Sequence, residues 1–367
     1  MKKMIYTLAV VLMAVSCSSS SGSEEPTPPP TSDEGGFNAN QFTLTTTLCT
    51  ENPSPEAVKV YDFLRENFGK KVISGAMSNV SWNMDEVEWL HTTTGSYPAL
   101  WCVDYIHLAW GEPDWTGYAD LDMAQEWWDA NGLMAASWHW NVPKKQGDTA
   151  PEDMGFYTAD TDFDVSQATV PGTYENGIVE ADLAKIAVHL KRLRDRNIPL
   201  LWRPLHEAAG KWFWWGAKGP QPFKDLWIYM FNYFQKEGLN NLIWVWTSQN
   251  NDLGWYPGDA YVDIVGYDSY PSTDFHASLV GTFNSLALMT GGRKLLTLSE
   301  CGGIPMPSAM FESGDMWSWF MPWYGEYTSG NPDDQEEERV NSEKDFRKIF
   351  SDERVLTRDE MPDLHAD

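Results

Sequence analysis

Short apolar runs alternate with longer amphipathic stretches along the chain from about residue 54 onward. The apolar runs are rich in Val, Ile, Leu and Trp and alternate little, which is typical of strands buried on both faces of a parallel sheet. Eight strands are predicted in this way, at Val72–Met77, Ala99–Tyr105, Leu133–Trp140, Leu200–His206, Leu242–Ser248, Val262–Tyr270, Leu295–Cys301 and Met316–Trp323. Between them, Ala181–Arg196, Phe223–Lys236 and Leu279–Met289 repeat apolar residues at helical spacing.

Eight strands that alternate with helices over roughly 300 residues favour an α/β fold, the (β/α)8 TIM barrel. A doubly wound open sheet is the alternative, but no Gly-rich phosphate loop opens any of the helices. The connection Val142–Glu180 is long and contains many Asp, Gly, Pro and Thr residues. We expect it to be an ordered loop that shapes a cleft.

The N-terminus has the character of a targeting segment. Lys2 and Lys3 precede an apolar run, Ile5–Val15, which is too short to span a membrane and is typical of a signal peptide. The run closes on Ala14-Val15-Ser16-Cys17, which resembles a bacterial lipobox with Ala in the place of the usual Leu. Residues 1–16 are therefore predicted to be a signal peptide of the lipoprotein type, with Cys17 as the acylated residue.

Residues 17–40 contain mostly Ser, Pro, Glu and Gly, and we predict a flexible linker there. Residues 41–367 are predicted to form the barrel domain. The expected location is the cell envelope, with the protein lipid-anchored at the outer membrane and facing either the periplasm or the cell surface. Cleavage without acylation, followed by secretion, is the alternative.

The formal net charge of −27 at pH 7 narrows the classes of ligand. A strongly acidic protein does not neutralise phosphates, which argues against nucleic-acid binding, and its field repels anionic polysaccharides. The negative charge does not repel neutral sugars. The 20 Trp, 15 Tyr and 16 Phe residues favour a sugar-binding cleft, although we expect more than half of these rings to lie in the core.

Polar and aromatic residues follow several of the predicted strands, at the barrel face where active sites are built. These are Asp104-Tyr105 after the second strand, Trp138–Asn141 after the third, Arg203–Glu207 after the fourth, Asp268–Tyr270 after the sixth, Ser299–Cys301 after the seventh and Trp323-Tyr324 after the eighth. A barrel face with only a structural role does not need such residues.

Glu207 and Glu300 follow the fourth and seventh strands, which lie opposite each other across the mouth of a barrel. Retaining glycoside hydrolysis needs two carboxyl groups roughly 5–5.5 Å apart, one protonated and one ionised. The aromatic run Trp212–Trp215 follows Glu207 and is a candidate for the apolar wall that raises its pKa. Tyr270 is within reach of Glu300 for a hydrogen bond. A structural ion pair with Arg203 is the alternative for a single buried glutamate.

The residues Ile198–Glu207, with their continuation Ala208–Gly216, resemble the acid/base signature of family 26 glycoside hydrolases. The resemblance extends from Val72 to Glu360. Members of that family are mostly retaining endo-β-1,4-mannanases on a (β/α)8 barrel. The resemblance therefore implies a β-1,4-mannanase that hydrolyses mannan, galactomannan or glucomannan through a covalent glycosyl-enzyme.

The resemblance also implies a role for individual residues, with Glu207 as the acid/base and Glu300 as the nucleophile. His139, His206, Trp212, Asp268, Tyr270 and Trp323 fall on the family's substrate-binding positions, and Tyr270 is expected to contact the nucleophile. The sequence departs from the signature at Ala209, where the family usually has Asn before Gly. That departure affects a secondary contact and leaves the proton donor in place.

The chemistry implied here needs no cofactor and no metal. His206-Glu207 begins like a zinc motif, but position 210 is Gly and not His. The expected partner is a neutral β-mannan polysaccharide or oligosaccharide, the membrane is contacted through the lipid anchor alone, and a monomer is expected. Two alternatives stay open: the same chemistry on lichenan or xylan, and a non-catalytic glycan-binding lipoprotein.

Overall fold

A computed structural model describes residues 41–79, 82–110, 117–249, 252–330 and 340–365, and eight parallel strands and eight α-helices lie within them. These residues all belong to one structural unit, Phe37–Asp367. The predicted signal peptide, Cys17 and the linker lie outside the described residues.

The strands form a closed barrel. In chain order they are Val72–Met77, Leu100–Asp104, Leu133–Trp138, Leu200–Pro204, Leu242–Ser248, Ile264–Ser269, Leu295–Cys301 and Trp319–Pro322, and we refer to them as the first to eighth strands. Each pairs in parallel with the next, and the eighth pairs with the first through Ile73 opposite Trp319. All eight predicted strands and the TIM barrel are thus confirmed, while the doubly wound sheet is excluded.

Six of the described α-helices lie between strands in sequence, while one precedes the first strand and one follows the eighth. The eight helices are α1 (Pro55–Asn67), α2 (Asp85–Thr94), α3 (Asp122–Asp129), α4 (Tyr174–Arg194), α5 (Pro220–Lys236), α6 (Val280–Thr290), α7 (Pro307–Ser313) and α8 (Glu343–Phe350). A side chain caps the start of three of these helices, as in α1, where the Ser54 side chain accepts from the amide of Ala57 and Pro55 occupies the first turn.

The long connection after the third strand is ordered and ends earlier than predicted. Val142–Pro143 pairs antiparallel with Met154–Gly155, and α4 begins at Tyr174, so the last seven residues of the predicted loop are helical. The reason is the cap at Thr173, whose hydroxyl accepts from the amide of Asn176.

The core is unusually rich in tryptophan. Among the residues that the structure describes, twelve tryptophans are less than 2% exposed, including Trp138 and Trp140, whose rings stack with centroids 4.1 Å apart. Cys102 and Cys301 are buried, and burial raises the pKa of the Cys102 thiol to about 12. Most aromatic rings therefore stabilise the barrel, and only a minority line the face that carries the polar strand ends.

Candidate active site

The turn that follows the fourth strand has an uncommon backbone conformation. Leu205, Glu207 and Lys211 all have positive φ, and Glu207 lies in the left-handed region at φ 54°. Such a conformation costs a non-glycine residue on the order of 1 kcal/mol and persists when the surroundings fix it. Here the indole of Trp215 donates to the carbonyl of His206 at 2.8 Å, which anchors the turn from below.

Trp212 closes over this turn and contacts Glu207. Its indole nitrogen donates to Glu207 Oε2 at 3.0 Å, and the side chain is 41% exposed. Gly210 makes this approach possible, because a Cβ at that position would lie 2.0 Å from the Trp212 ring. The other aromatic residues of the run, Phe213–Trp215, are buried. Trp212 is thus the exposed member of the run, and the other three residues pack in the core.

Glu300 lies in the seventh strand and is almost fully buried. Its two carboxylate oxygens accept from different donors: Oε1 from Arg203 Nη1 at 2.7 Å, and Oε2 from the Tyr270 hydroxyl at 2.9 Å. The pairing of the sixth and seventh strands changes register between Tyr267 and Asp268, and Asp268 then lies opposite Glu300. Such irregularities re-aim side chains next to active sites.

Arg203 connects the carboxylates beneath the cleft. It forms ion pairs with both Asp268 and Glu300, and it also donates to the hydroxyls of Thr247 and Ser137, each at 3.0 Å. Burial alone would lower the pKa of Arg203, but the two carboxylates raise it, so the guanidinium stays charged. The ion pair considered as an alternative for a single glutamate exists, and it involves Glu300.

The two glutamates reach each other across the barrel mouth. Carboxylate oxygens of Glu207, Asp268 and Glu300 all lie within 4.8 Å of one another. Burial raises the pKa of Glu207 well above its usual value, and the negative charges of Asp268 and Glu300 raise it further, against the opposing effect of Arg203. The surroundings therefore favour the protonated form of Glu207, whereas Glu300 accepts from two donors.

Two histidines lie beside this pair. His139 Nδ1 forms a short hydrogen bond with Asp104 Oδ2, and the backbone amide of His139 donates to Asp104 Oδ1 at 3.0 Å. Burial lowers the pKa of His139, but Asp104 more than offsets this, and the net shift is upward. His206 packs edge-on against His139 at 4.6 Å, and burial lowers its pKa well below the usual value, so it is neutral.

Aromatic side chains form the walls of the cleft. Trp323, which follows the eighth strand, lies 5.9 Å from the His139 ring, and Phe156 from the long connection lies 5.1 Å from it. The connection is held against the turn after the fourth strand, because the amide of Thr158 donates to the carbonyl of Trp212 at 2.7 Å. It therefore contributes to the cleft, as predicted.

The eight site residues predicted within the barrel come together at one face. The structure adds residues that the sequence interpretation did not assign to the site, chiefly Asp104 beside His139 and Gln249, whose amide nitrogen lies 3.3 Å from Glu207 Oε1. Their positions at strand ends were visible in the sequence, because Asp104 ends the second strand and Gln249 directly follows the fifth. Those positions alone do not distinguish a site residue from an ordinary residue at a strand end.

The carboxylates of the site are also the group that could hold a metal ion. Within the part of the chain that the structure describes, Glu207, Asp268 and Glu300 form the one group of acidic, His or Cys side chains close enough to share an ion. Arg203 already supplies a positive charge to two of the three carboxylates. The expectation that no metal is needed stays a prediction.

Comparison with known proteins gives consistent matches. The family model described as glycosyl hydrolase family 26 matches residues 49–360. A mannan endo-1,4-beta-mannosidase A of Piromyces sp is 35% identical over 340 residues, covering 88% of this chain and 52% of the relative. A mannan endo-1,4-beta-mannosidase of Thermothelomyces thermophilus is 37% identical over 317 residues, covering 84% of this chain and 62% of the relative.

Solved structures give the same result. The beta-mannanase from a symbiotic protist of the termite Reticulitermes speratus, complexed with gluco-manno-oligosaccharide, is 37% identical with a TM-score of 0.79, covering 88% of this chain and 99% of that one. The GH26 domain of an endo-beta-mannanase/endo-beta-glucanase from Prevotella bryantii is 36% identical with a TM-score of 0.77, covering 86% and 99%. The chain spans little more than half the length of the first curated relatives but nearly all of these domains.

Proposed function

The chain belongs to glycosyl hydrolase family 26, and from that premise we propose that it is a retaining β-mannanase that hydrolyses β-1,4-linked mannans. The observation that carries the proposal is the separation of the two carboxyl groups, whose oxygens lie within 4.8 Å. Retaining enzymes hold them roughly 5–5.5 Å apart, whereas inverting enzymes leave roughly 6.5–9.5 Å for a water molecule. The mannanase names of the relatives support the choice of substrate.

In the first step, Glu300 attacks the anomeric carbon and Glu207 transfers its proton to the glycosidic oxygen as that carbon–oxygen bond breaks. Both assignments follow from the surroundings of each carboxyl group. Glu207 has a raised pKa and holds a proton to give, while Glu300 accepts from Arg203 and Tyr270 and presents a charged oxygen. The products are the leaving sugar and a glycosyl ester on Glu300.

In the second step, water attacks the anomeric carbon and the ester bond to Glu300 breaks. Glu207, now ionised, takes the proton from the water, which restores both carboxyl groups. In this proposal His139, His206, Asp268 and the aromatic rings of Trp212, Tyr270 and Trp323 bind the sugar chain around the cleaved bond. Trp212 and Tyr270 are each more than 40% exposed and are accessible to a ligand.

The test is substitution of each glutamate by alanine in the purified protein. Glu207→Ala and Glu300→Ala should each lower the rate of mannan hydrolysis by several orders of magnitude, with the folded state retained by circular dichroism. The exposed Glu312→Ala in α7 is the matched control and should keep the native rate. Near-native turnover by either active-site variant would contradict the assignment.

An activated aryl β-mannoside, whose leaving group needs no proton, separates the two roles. Glu207→Ala should still form the glycosyl-enzyme, and added azide should accelerate its breakdown to a β-glycosyl azide, because azide needs no general base. Glu300→Ala should not form the intermediate. Reducing-sugar release from mannan, galactomannan, lichenan and xylan then decides the substrate, and no release from any of them would favour a glycan-binding protein.

We further propose that the domain is tethered to the cell envelope through an acylated Cys17. The support is the sequence: an apolar run that ends on Cys17 and a linker over residues 17–40, all outside the described residues. Acylation would place the domain at a membrane surface, where it meets soluble glycan, and secretion after plain cleavage is the alternative. The excess of negative charge favours a neutral glycan and disfavours nucleic acid, and we propose a monomer.

A further inference from the structure

Gln249 contacts the acid/base from the side opposite Trp212. Its amide nitrogen lies 3.3 Å from Glu207 Oε1, and the Trp212 indole nitrogen lies 3.0 Å from Glu207 Oε2. Each oxygen of the carboxyl group therefore faces one N–H donor. Gln249 directly follows the fifth strand, so it belongs to a different element from both of its neighbours in this contact.

The backbone of Gln249 is fixed. Its amide donates to Asp252 Oδ2 at 2.6 Å, while Asp252 Oδ1 accepts from the Ser248 hydroxyl at 2.6 Å. Asp252 is 4% exposed. A buried carboxylate thus closes the start of this loop and holds Gln249 beside the carboxyl group of Glu207.

The two donors differ chemically. An indole N–H only donates, whereas a carboxamide has a donating end and an accepting end. Trp212 therefore faces Oε2 as a donor whether Glu207 is ionised or protonated, and a carbonyl oxygen accepts that N–H better than a hydroxyl oxygen does. The proton of the acid form belongs on Oε1, the oxygen that Gln249 contacts.

We propose that Gln249 is a positioning residue that acts through Glu207: it donates to Oε1 while Glu207 is ionised, and its amide reverses to accept while Oε1 carries the proton. The inference rests on the proposed retaining mechanism, in which Glu207 passes between these two states. Gln249 then stabilises chiefly the ionised form, which is the general base of the second step. Trp212 fixes which oxygen carries the proton.

Several other groups act on the same carboxyl group and must be held constant in any test. The titratable and charged side chains that face Glu207 from the surrounding elements are Arg203, Asp268, Tyr270 and Glu300 at the strand ends and Tyr157 in the long connection. Substitution at Gln249 leaves all of them in place.

The test uses the purified full chain with Gln249→Met, which keeps the length of the side chain and removes both ends of the amide, and Gln249→Glu, which keeps its shape and adds a negative charge. The carboxyl carbon of Glu207 is followed by NMR of protein carrying 13C-labelled glutamate, with its signal assigned by its loss in Glu207→Gln. The titration midpoint should rise from the native protein to Gln249→Met, and rise again in Gln249→Glu.

Kinetics provide the second measurement. Gln249→Met should slow breakdown of the glycosyl-enzyme roughly three- to tenfold, because a hydrogen bond to the ionised base is lost, and the intermediate should accumulate with an activated aryl mannoside. The pH at which kcat/KM falls on the alkaline side should rise together with the titration midpoint of Glu207. Gln221→Met, at an exposed glutamine that contacts Asp225 in α5, is the matched control and should change neither quantity.

A Gln249→Met midpoint equal to the native one overturns the inference. A slower reaction without any change in midpoint also overturns it, because lost packing alone would have that effect. If the midpoints follow the expected order in a protein that hydrolyses none of the glycans, the contact is supported and the proposed function fails. The two failures are therefore distinguishable.

Discussion

Asp182 in α4 is a carboxyl group placed where its charge is unfavourable. It is half-buried beneath the third strand end and accepts from the indole of Trp140 at 2.8 Å. Burial raises its pKa to about 6, although Trp140 and Lys185 oppose the shift. Because the folded pKa lies above the unfolded one, the favourable contribution is complete below about pH 4 and is lost as the pH rises through 6.

Asp182→Asn should therefore stabilise the protein at alkaline pH and leave it unchanged at acid pH. The amide oxygen still accepts from Trp140, and the charge that must be buried above pH 6 is gone. We expect a gain of roughly 1–2 kcal/mol in the free energy of unfolding at pH 8 and almost none near pH 4. Urea unfolding at both pH values measures it, with exposed Asp129→Asn as the control.

Single residues of the site could be predicted from the sequence where they lie at the end of a predicted strand. Glu207, Glu300 and Tyr270 each follow an apolar run, and their position alone directs them to the barrel mouth. The left-handed conformation of Glu207 and the double ion pair of Arg203 were not predictable, because each depends on residues from distant strands. Gln249 was missed for the same reason.

At the scale of elements, one buried side chain joins two loops of the cleft. Asn341, just before α8, has no exposed surface, and its Nδ2 donates to the carbonyls of Gly302 at 2.6 Å and Tyr327 at 2.8 Å. Its Oδ1 accepts from the amide of Ile304 at 2.9 Å. The loops after the seventh and eighth strands are thereby fixed to each other.

These three hydrogen bonds of Asn341, which we call the Asn341 clamp, also affect the position of a group that contacts the nucleophile. A Cβ at Gly302 would lie 3.0 Å from the Tyr327 ring and 3.1 Å from the Tyr270 ring, so the backbone at Gly302 lies directly beneath both. Tyr270 in turn donates to Glu300. A shift of the loop held by Asn341 would therefore move the Tyr270 hydroxyl relative to the nucleophile.

Asn341→Asp should destabilise the fold and lower activity together. The substituted oxygen would face two carbonyl oxygens in a buried site, which we expect to cost about 2–4 kcal/mol in the free energy of unfolding. On mannan, kcat should fall severalfold with little change in KM. The control is Asn240→Asp, where the same amide group donates to Asn52 in a solvent-accessible contact. Equal effects of the two substitutions would contradict the role of the clamp.

The elements themselves followed from the sequence far better than their junctions did. Buried parallel strands read as continuous apolar runs, so all eight were recognisable, and four were predicted two or more residues too long at one end or the other. Two of these errors lie at the amino ends of the sixth and eighth strands, and the other two lie where apolar and aromatic residues continue past the carboxyl end of a strand into the cleft, as in Trp138–Trp140. A residue that binds sugar and a residue that fills a core have the same pattern there.

At the scale of the whole molecule, the net charge determines whether electrostatic attraction can hold the protein at a membrane. The net charge of −27 at pH 7 repels an anionic lipid surface, so electrostatic attraction cannot retain the protein there. Over the described ranges, no helix is both long and apolar enough to cross a bilayer. The membrane association that we propose depends on acylation of Cys17.

Cys17→Ser should release the protein from the membrane without changing the barrel. Each buried methylene of an acyl chain contributes about 0.8 kcal/mol, and the hydroxyl of serine cannot form the thioether through which such chains are attached. In a bacterial host that processes lipoproteins, the native protein should partition into the detergent phase and the variant into the aqueous phase, with equal unfolding curves. Cys49→Ser, at a cysteine within the folded domain, is the control and should stay in the detergent phase. A native protein found in the aqueous phase, with no added lipid mass on Cys17, would establish the secreted alternative.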